Sequence, residues 1–476
     1  MNRTVLSYAA LFVFFCAGFL EGESAKQETL RFLEEHQSEY SKLARDIWEY
    51  AELGYQEEKS MALLVSTLEA AGFRIEAGVA DMPTAFVASY GQGKPVIGFL
   101  AEYDALPGVS QVAEPEPRPR VENAPGHACG HNLLGTASVA AALAVKDWLD
   151  RSGQSGTIRL YGTPAEEGGA GKVYMVRDGL FNDVDAVLTW HPGDNNNARP
   201  PRCLANRSAK FRFYKVAGAP DAIPMQTSAL DGVEAMSYLV NMMTKHLTRS
   251  TRIQYIVSDG GHAPNVAPDT AEIYYYCRHE KVEMVRHNWD RIVKASEAAA
   301  LGTSTRVEHE IIHGLYPLLP NETLSKLLDA NLQEVGGVTY APEELEFAKR
   351  IRKTFSTSKP LGAQEKVEPY GPGRLGTYST DVGDISWQVP TAQITAATWV
   401  PGTPGHSWQV VAQGGMSIGY KGMMVAAKTL ATASVELLTK PDVVEAARRE
   451  LEEARGPDFH YEPLLGDRKP PLDFRK

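Results

Sequence analysis

The sequence predicts an α/β protein with a main α/β/α unit on a mixed, mostly parallel sheet and a smaller inserted α+β unit of βαββ type. In the main unit, short apolar strands alternate with helical segments, which is typical of parallel sheets. From about residue 207 to 311 the chain has strands and helices of its own, which indicates an inserted domain. At 476 residues and 43% hydrophobic composition, the chain is too long for one small core.

We expect five segments along the chain. They are a signal peptide at 1–25, the first part of the main unit at 26–206, the inserted domain at 207–311, the second part of the main unit at 312–440, and a C-terminal tail at 441–476.

The N-terminus has the pattern of a secretory signal peptide. Arg3 precedes an apolar run at 5–20, and the small residues around Ala25 permit cleavage there or at Lys26. A retained membrane anchor is the alternative, but the run is short for a spanning helix. We therefore expect a periplasmic or secreted protein without a stable membrane anchor after cleavage.

Charge and cysteine content exclude several classes of protein. The net charge of -11 comes from interspersed acidic and basic residues, which argues against nucleic acid or an anionic membrane as the main partner. After leader removal, Cys129, Cys203 and Cys277 are too few for a disulfide framework. Cys129 is therefore available as a ligand.

The main unit begins with helical spacing and continues with apolar strands. Its predicted helices are 27–51, 60–71, 133–149 and 418–438, with further helical segments between 321 and 354. Its predicted strands are 84–90 and 95–100, joined by a turn, and then 157–161, 186–190 and 391–399.

The inserted domain has three predicted strands, 209–216, 251–257 and 270–278, and two predicted helices, 227–245 and 283–301. Exposed strands of such a domain can pair with a second copy of the chain. A homodimer is therefore the expected assembly.

Potential metal ligands recur at strand ends and in loops: Cys129, His131, Glu167, His191 and His406. Five donors of nitrogen, sulfur and oxygen type exceed what one tetrahedral zinc uses, and they suit two close divalent ions with a shared ligand or a bridging water. The thiolate and imidazoles favour zinc, with Mn²⁺ and Co²⁺ as alternatives.

Glu166 stands directly beside Glu167 at a strand end. Two adjacent carboxylates in a turn point in different directions, so one can bind a metal while the other removes a proton from the attacking water. A solvated loop is the usual explanation of a Glu-Glu pair, but the flanking Pro164 and Gly168-Gly169 favour a built site. The pair therefore predicts hydrolysis.

These motifs together resemble the M20 metallopeptidase/amidohydrolase family, especially its aminobenzoyl-glutamate hydrolase and dipeptidase-like branch. The residues that carry the resemblance are Glu52-Leu53-Gly54, Ala101 to Leu106, Gly126 to Thr136, Pro164 to Glu167, Trp190-His191-Pro192, Pro264-Asn265-Val266, Ser379 to Asp384 and Gly405-His406. Asn132, where related amidohydrolases usually have Asp, favours this branch.

The resemblance implies a metal-dependent hydrolase of the amide bond in small N-acyl amino acids or dipeptides, such as aminobenzoyl-glutamate-like substrates. It implies two bound metals, with Glu166 as general base and the five donors as ligands. Asp104 would support the ligands, and His127, which the ligand count leaves over, would have a structural or supporting role. The inserted domain would form the dimer and contact substrate through Asn265 and Arg278.

One position departs from the family pattern. The inserted domain of the family usually carries a histidine that stabilises the oxyanion, and Gly218 or a neighbour stands in its place here. His262 is a candidate replacement. The alternative is a catalytically weak relative that binds such ligands without efficient turnover, although the complete donor set and Glu166 favour catalysis.

Overall fold

The computed structural model describes residues 25–216 and 227–475. The predicted signal peptide, apart from Ala25, and the departure at Gly218 lie outside the described residues. Within the described ranges, no helix combines the length and the apolar character needed to cross a membrane.

The main sheet has six strands in the order β1-β2-β4-β3-β5-β10. The strands are β1 (Arg74–Ala77), β2 (Phe86–Gln92), β3 (Val96–Ala101), β4 (Gly156–Gly162), β5 (Ala186–Gly193) and β10 (Thr391–Ala397). β4, β3, β5 and β10 run parallel, while β2 is antiparallel to β1 and β4. The predicted mixed, mostly parallel sheet is confirmed.

Two features of this sheet did not follow from the sequence. β2 and β3 follow each other along the chain, but they are not paired, because β4 lies between them. A turn connects two strands along the chain but does not require them to pair, so a third strand can lie between them. The edge strand β1 was missed because its four residues are largely exposed and have no apolar alternation.

Helices cover both faces of this sheet. The bounds are α1 (25–35), α2 (Gln37–Tyr50), α3 (Glu58–Ala70), α4 (His131–Ser152), α5 (Gly171–Arg177), α8 (Glu322–Val335), α9 (Pro342–Ile351), α10 (Val382–Ser386), α11 (Trp408–Gly414), α12 (Ser417–Thr439) and α13 (Pro441–Arg455). The first predicted helix is thus interrupted at His36.

Alternate residues of the central strands supply two separate cores. Ile97 and Phe99 of β3 face the helices α4 and α12, whereas Val96 and Leu100 face α5 and α10. α4 can lie close to the sheet because its buried side is rich in alanine. A strand buried on both faces is a continuous apolar run, which is why β3 was recognisable in the sequence.

The inserted segment forms a second, antiparallel sheet in the order β7-β8-β6-β9. Its elements are β6 (Ala205–Lys215), α6 (Ala229–Thr244), β7 (Arg252–Asp259), β8 (Thr270–His279), α7 (Val282–Gly302) and β9 (Thr305–Leu315). The sequence did not predict β9, whose central residues are mostly polar and partly exposed. The boundaries of the five predicted segments stay predictions.

The C-terminal tail packs on both units. The Tyr461 hydroxyl donates to Asp384 Oδ1 at 2.7 Å, and the Arg468 guanidinium donates to the carbonyl of Ile312 in β9 at 2.7 Å. The Phe474 ring then lies edge-on to Tyr55 in the main unit. These contacts fix the second sheet relative to the main unit.

Candidate metal centre

The candidate site lies where the parallel strands of the main sheet end. Glu102 and Asp104 follow β3, and Glu166 and Glu167 lie in the loop after β4. His191 lies near the C-terminal end of β5. The carboxyl ends of parallel strands share one edge of a sheet, where α/β proteins place their ligands. The start of α4 brings Cys129 and His131 to the same edge, and the loop after β10 brings His406.

Gly130 allows Cys129 and His131 to point into the same space. Its φ of 80° is left-handed, and a Cβ atom on this residue would lie 2.9 Å from the Cβ of Pro192. Only glycine meets both conditions without strain. The backbone conformation between the two donors, Cys129 and His131, thus requires glycine at position 130.

Two groups of potential ligands share the thiol of Cys129. One group contains His131 and His191, and the other contains Glu167 and His406; within each, the donor atoms lie within 4.8 Å of one another. Cys129 Sγ is 3.3 Å from His191 Nε2, and His406 Nε2 is 3.2 Å from Glu167 Oε1. The structure therefore brings together all five donors selected from the sequence.

The donors fit bound divalent ions. His131 Nε2 and Glu167 Oε1 are buried and have no hydrogen-bond partner within the described residues, an arrangement that costs free energy unless a cation satisfies them. Two ligands of a tetrahedral zinc are separated by roughly 3.4–3.6 Å, given the usual bond lengths, close to the separations seen here. A thiolate common to both groups suits two neighbouring ions.

The electrostatics favour a thiolate at Cys129. Burial by itself raises the pKa of the thiol, but the adjoining His191 and His131 bring that pKa well below its ordinary value. The adjoining Cys129 and Glu167 raise the pKa of His406 to about 10. A divalent cation would take the place of the proton on His406 and pair with the thiolate.

Asp104 orients two of the donors at once. Its Oδ1 accepts from His131 Nδ1 at 2.8 Å, and its Oδ2 accepts from the backbone N–H of Glu167 at 2.9 Å. The bond to Nδ1 leaves His131 Nε2 with a free lone pair. These contacts are compatible with the supporting role that the family resemblance implied for Asp104, which stays a prediction.

Glu166 is half-buried beside Glu102 and His131, with the three potential ligand atoms within 4.8 Å of one another. Burial, and then the charges of Glu102 and Glu167, raise the pKa of Glu166 well above its ordinary value. A raised carboxyl pKa suits a group that accepts a proton and returns it.

The sequence did not identify Glu57 as part of this site. Its Oε1 accepts from the backbone N–H of Ala165 at 2.8 Å, and its Oε2 accepts from the hydroxyl of Thr84. Ala165 has a φ of 57°, which is unusual for a residue with a side chain. Glu57 thus holds the strained turn immediately before Glu166, and only its tertiary contacts show this.

Lys172 and Asp381 were also missed. Lys172 is fully buried, and its ammonium group lies 2.8 Å from Glu102 Oε1 and 2.7 Å from Asp381 Oδ1. The motif that contains Asp381 contributed to the family resemblance without a role for this residue. A lysine near the start of a short helix carries no sequence signal for such a contact.

The remaining predicted residues do not belong to these groups of potential ligands. His127 is buried, with Nε2 3.1 Å from the carbonyl of Ile47, and burial lowers its pKa to about 4. His262 and Asn265 are exposed in the segment after β7, and the Arg278 guanidinium donates to the carbonyl of Thr377 at 3.3 Å. Their proposed roles stay predictions.

A Gly-x-Ser-x-Gly pattern occurs at 415–419, but it does not form a nucleophile elbow. Ser417 is the first residue of α12 and follows another helix, whereas an elbow joins a strand to a helix. The site chemistry is therefore that of the Cys129 cluster.

The chain belongs to peptidase family M20/M25/M40, whose model matches residues 98–380. It is a metal-dependent hydrolase of that family. Among its relatives is a component of the p-aminobenzoyl-glutamate hydrolase of Escherichia coli strain K12, with 39% identity over 472 residues, which cover 92% of this chain and 98% of the relative. The Xaa-Arg dipeptidase of Mus musculus is 27% identical over 448 residues, covering 90% and 93%.

Solved structures of low sequence identity share the fold. A dinuclear metal-binding M20 peptidase of Bacillus subtilis has a TM-score of 0.56 at 17% identity, covering 85% of this chain and 99% of its own. An aminobenzoyl-glutamate utilization protein of Klebsiella pneumoniae has a TM-score of 0.58 at 16% identity, covering 85% and 97%. The family resemblance and the fold class predicted from sequence are both confirmed.

Proposed function

We propose that this enzyme hydrolyses the amide bond of small N-acyl amino acids or dipeptides, with aminobenzoyl-glutamate-like compounds as the preferred class. The observation that carries the proposal is the half-buried Glu166 beside His131, one of five potential ligands that form two groups around the Cys129 thiol. The names of the relatives at 39% and 27% identity support an acyl-glutamate or dipeptide substrate. The half-buried guanidinium of Arg278 is suited to a substrate carboxylate.

Two bound divalent ions, zinc by preference, would supply carbonyl polarisation and water activation at this site. Cys129, His131, His191, Glu167 and His406 would hold them. Glu166 removes a proton from the attacking water and delivers it to the leaving amine, so that one amide and one water give one acid and one amine. Asp104 keeps His131 and Glu167 in place during this transfer.

The proposed assembly is a homodimer formed through the second sheet. β7 is an edge strand of that sheet, and Ile256 and Val257 on it are 62% and 48% exposed. Tyr238 and Met242 on α6 are also exposed. An exposed edge strand with apolar side chains is a pairing surface, and a second copy of the chain is the partner that we propose.

The apolar N-terminal run supports export, and we propose a periplasmic or secreted location. N-terminal sequencing of the exported protein should begin near Ala25 or Lys26. Soluble protein that retains Met1 would contradict cleavage.

A substrate panel tests the proposed reaction. The purified protein is incubated with aminobenzoyl-glutamate, other acyl-glutamates and dipeptides, with and without a chelator, and amine release is measured. We expect hydrolysis that chelation abolishes and added Zn²⁺ restores, and that Glu166→Ala lacks. Hydrolysis that persists in Glu166→Ala would refute the assigned base, and absence of turnover across the panel would favour a ligand-binding relative.

A further inference from the structure

Lys172 is a buried cation held between two carboxylates beside the proposed metal centre. Its ammonium group contacts Glu102 Oε1 at 2.8 Å and Asp381 Oδ1 at 2.7 Å, and its backbone N–H donates to Asp381 Oδ2 at 3.0 Å. All three side chains are nearly inaccessible to solvent. Asp381 immediately precedes α10, so the contact joins the two sequence-distant parts of the main unit.

The second oxygen of Glu102 faces the site. Glu102 Oε2 lies 3.1 Å from His131 Nε2, and both atoms are buried without a hydrogen-bond partner within the described residues. Potential ligand atoms of Glu102, His131 and Glu166 lie within 4.8 Å of one another. Lys172 therefore fixes a carboxylate that lies against one predicted metal ligand and against the predicted base.

Stability alone does not account for this arrangement. A buried ion pair gains little over well-packed apolar side chains, because removing the charges from water costs as much as their attraction returns. The pairs do fix the rotamer of Glu102, since one of its oxygens is committed to Lys172. An uncommitted Glu102 carboxylate would be free to turn toward the cations of the site.

We infer that Lys172 is a positioning residue of the catalytic centre: together with Asp381 it holds Glu102 at the distance from His131 and Glu166 that the reaction requires. This inference rests on the proposed hydrolysis for its kinetic consequence. Its geometric consequence, an altered environment of the ion next to His131, is independent of the substrate.

The test compares Lys172→Met with a change in a second lysine–carboxylate pair, in which the carboxylate is buried and the lysine side chain is 34% exposed. Lys421 lies 2.6 Å from the buried carboxylate of Glu344, between α12 and α9 and outside the site, so Lys421→Met is the control. Each protein is loaded with Co²⁺, and its metal stoichiometry, visible absorption spectrum, melting temperature, kcat and KM are measured.

For Lys172→Met we expect kcat to fall by about 10–100-fold, the magnitude typical of residues that support metal ligands, with KM nearly unchanged. The Co²⁺ spectrum should change while the stoichiometry stays that of the wild type. Lys421→Met should lower the melting temperature and leave kcat and the spectrum unchanged. Wild-type kcat and spectrum in Lys172→Met would overturn the inference, as would an equal loss of kcat in Lys421→Met.

If Lys172→Met does not fold, Glu102→Gln gives the same test, because it keeps the side-chain volume and weakens the hold of Lys172. Its Co²⁺ spectrum should differ from that of the wild type, and an identical spectrum with full kcat overturns the inference. If the wild type hydrolyses no amide but the spectral changes occur, the proposed function fails and the role of Lys172 stands.

Discussion

Replacing Asp104 by Asn should weaken metal binding without unfolding the protein. The carboxylate accepts two hydrogen bonds, one from His131 Nδ1 at 2.8 Å and one from the backbone N–H of Glu167 at 2.9 Å. An Asn side chain has a single acceptor oxygen. Whichever way the amide is turned, its NH₂ group faces one of the two donors, so one predicted ligand loses its orientation.

The size of the effect follows from that geometry. Loss of a residue that orients a metal ligand typically costs about 10–100-fold in affinity, or roughly 1.4–2.7 kcal/mol. Asp104 is buried and contacts one predicted ligand in each of the two groups that share Cys129, namely His131 and Glu167. We therefore expect the upper part of that range. Reduced occupancy would also lower turnover at limiting metal.

The assay is competition between the protein and a chromophoric chelator for Zn²⁺, at constant pH. The matched control is Asp185→Asn, because Asp185 is also buried and accepts a backbone N–H, that of Val96 at 2.7 Å, at the start of β3 and far from the site edge. Asp185→Asn should destabilise the fold and leave the dissociation constant unchanged. Equal affinity in Asp104→Asn and wild type would refute the supporting role of Asp104.

Three further predictions test the base, a buried acid and the assembly. Glu166→Gln should lower kcat by about 10²–10⁴-fold because it removes the proton acceptor, with metal content unchanged by elemental analysis; full activity would exclude this base. Burial raises the pKa of Asp384 to about 7, so the folded protein retains a proton that the unfolded chain releases at lower pH. The resulting stabilisation is fully present below the pKa of Asp384 in the unfolded chain and is lost as the pH rises through about 7. Asp384→Asn should therefore flatten the fall in unfolding free energy between about pH 4 and 7, up to about 4 kcal/mol, in denaturant titrations; an unchanged pH slope would contradict the raised pKa. Ile256→Lys should give monomers in sedimentation experiments, since it places a charge on the exposed edge strand, whereas a dimer of wild-type stability would place the interface elsewhere.

His262 is the predicted replacement for the histidine that the family resemblance implies near Gly218. It is exposed on the inserted domain, where a second copy of the chain could bring it to a site. Turnover unchanged in His262→Ala would show that it has no such role.

Strand periodicity predicted β2, β3, β4, β5 and β10 because their sequences are apolar runs or alternate between apolar and polar residues. It missed the exposed β1 and the largely polar β9, where burial supplies no pattern. Periodicity also does not predict which strands pair. In the structure β4 lies between β2 and β3, although it follows both of them in the sequence.

The sequence by itself predicted which residues could bind metal and which carboxylate could act as base, because these residues lie in short motifs that together resemble one family. Only the tertiary structure decided how these residues are held. Glu57 contacts Ala165, 108 positions away, and Lys172 contacts Asp381, 209 positions away. A charged side chain gives no local sign of the partner that it meets when buried. The predicted ligands thus lie in short sequence motifs, whereas the contacts that position them form only when the chain folds.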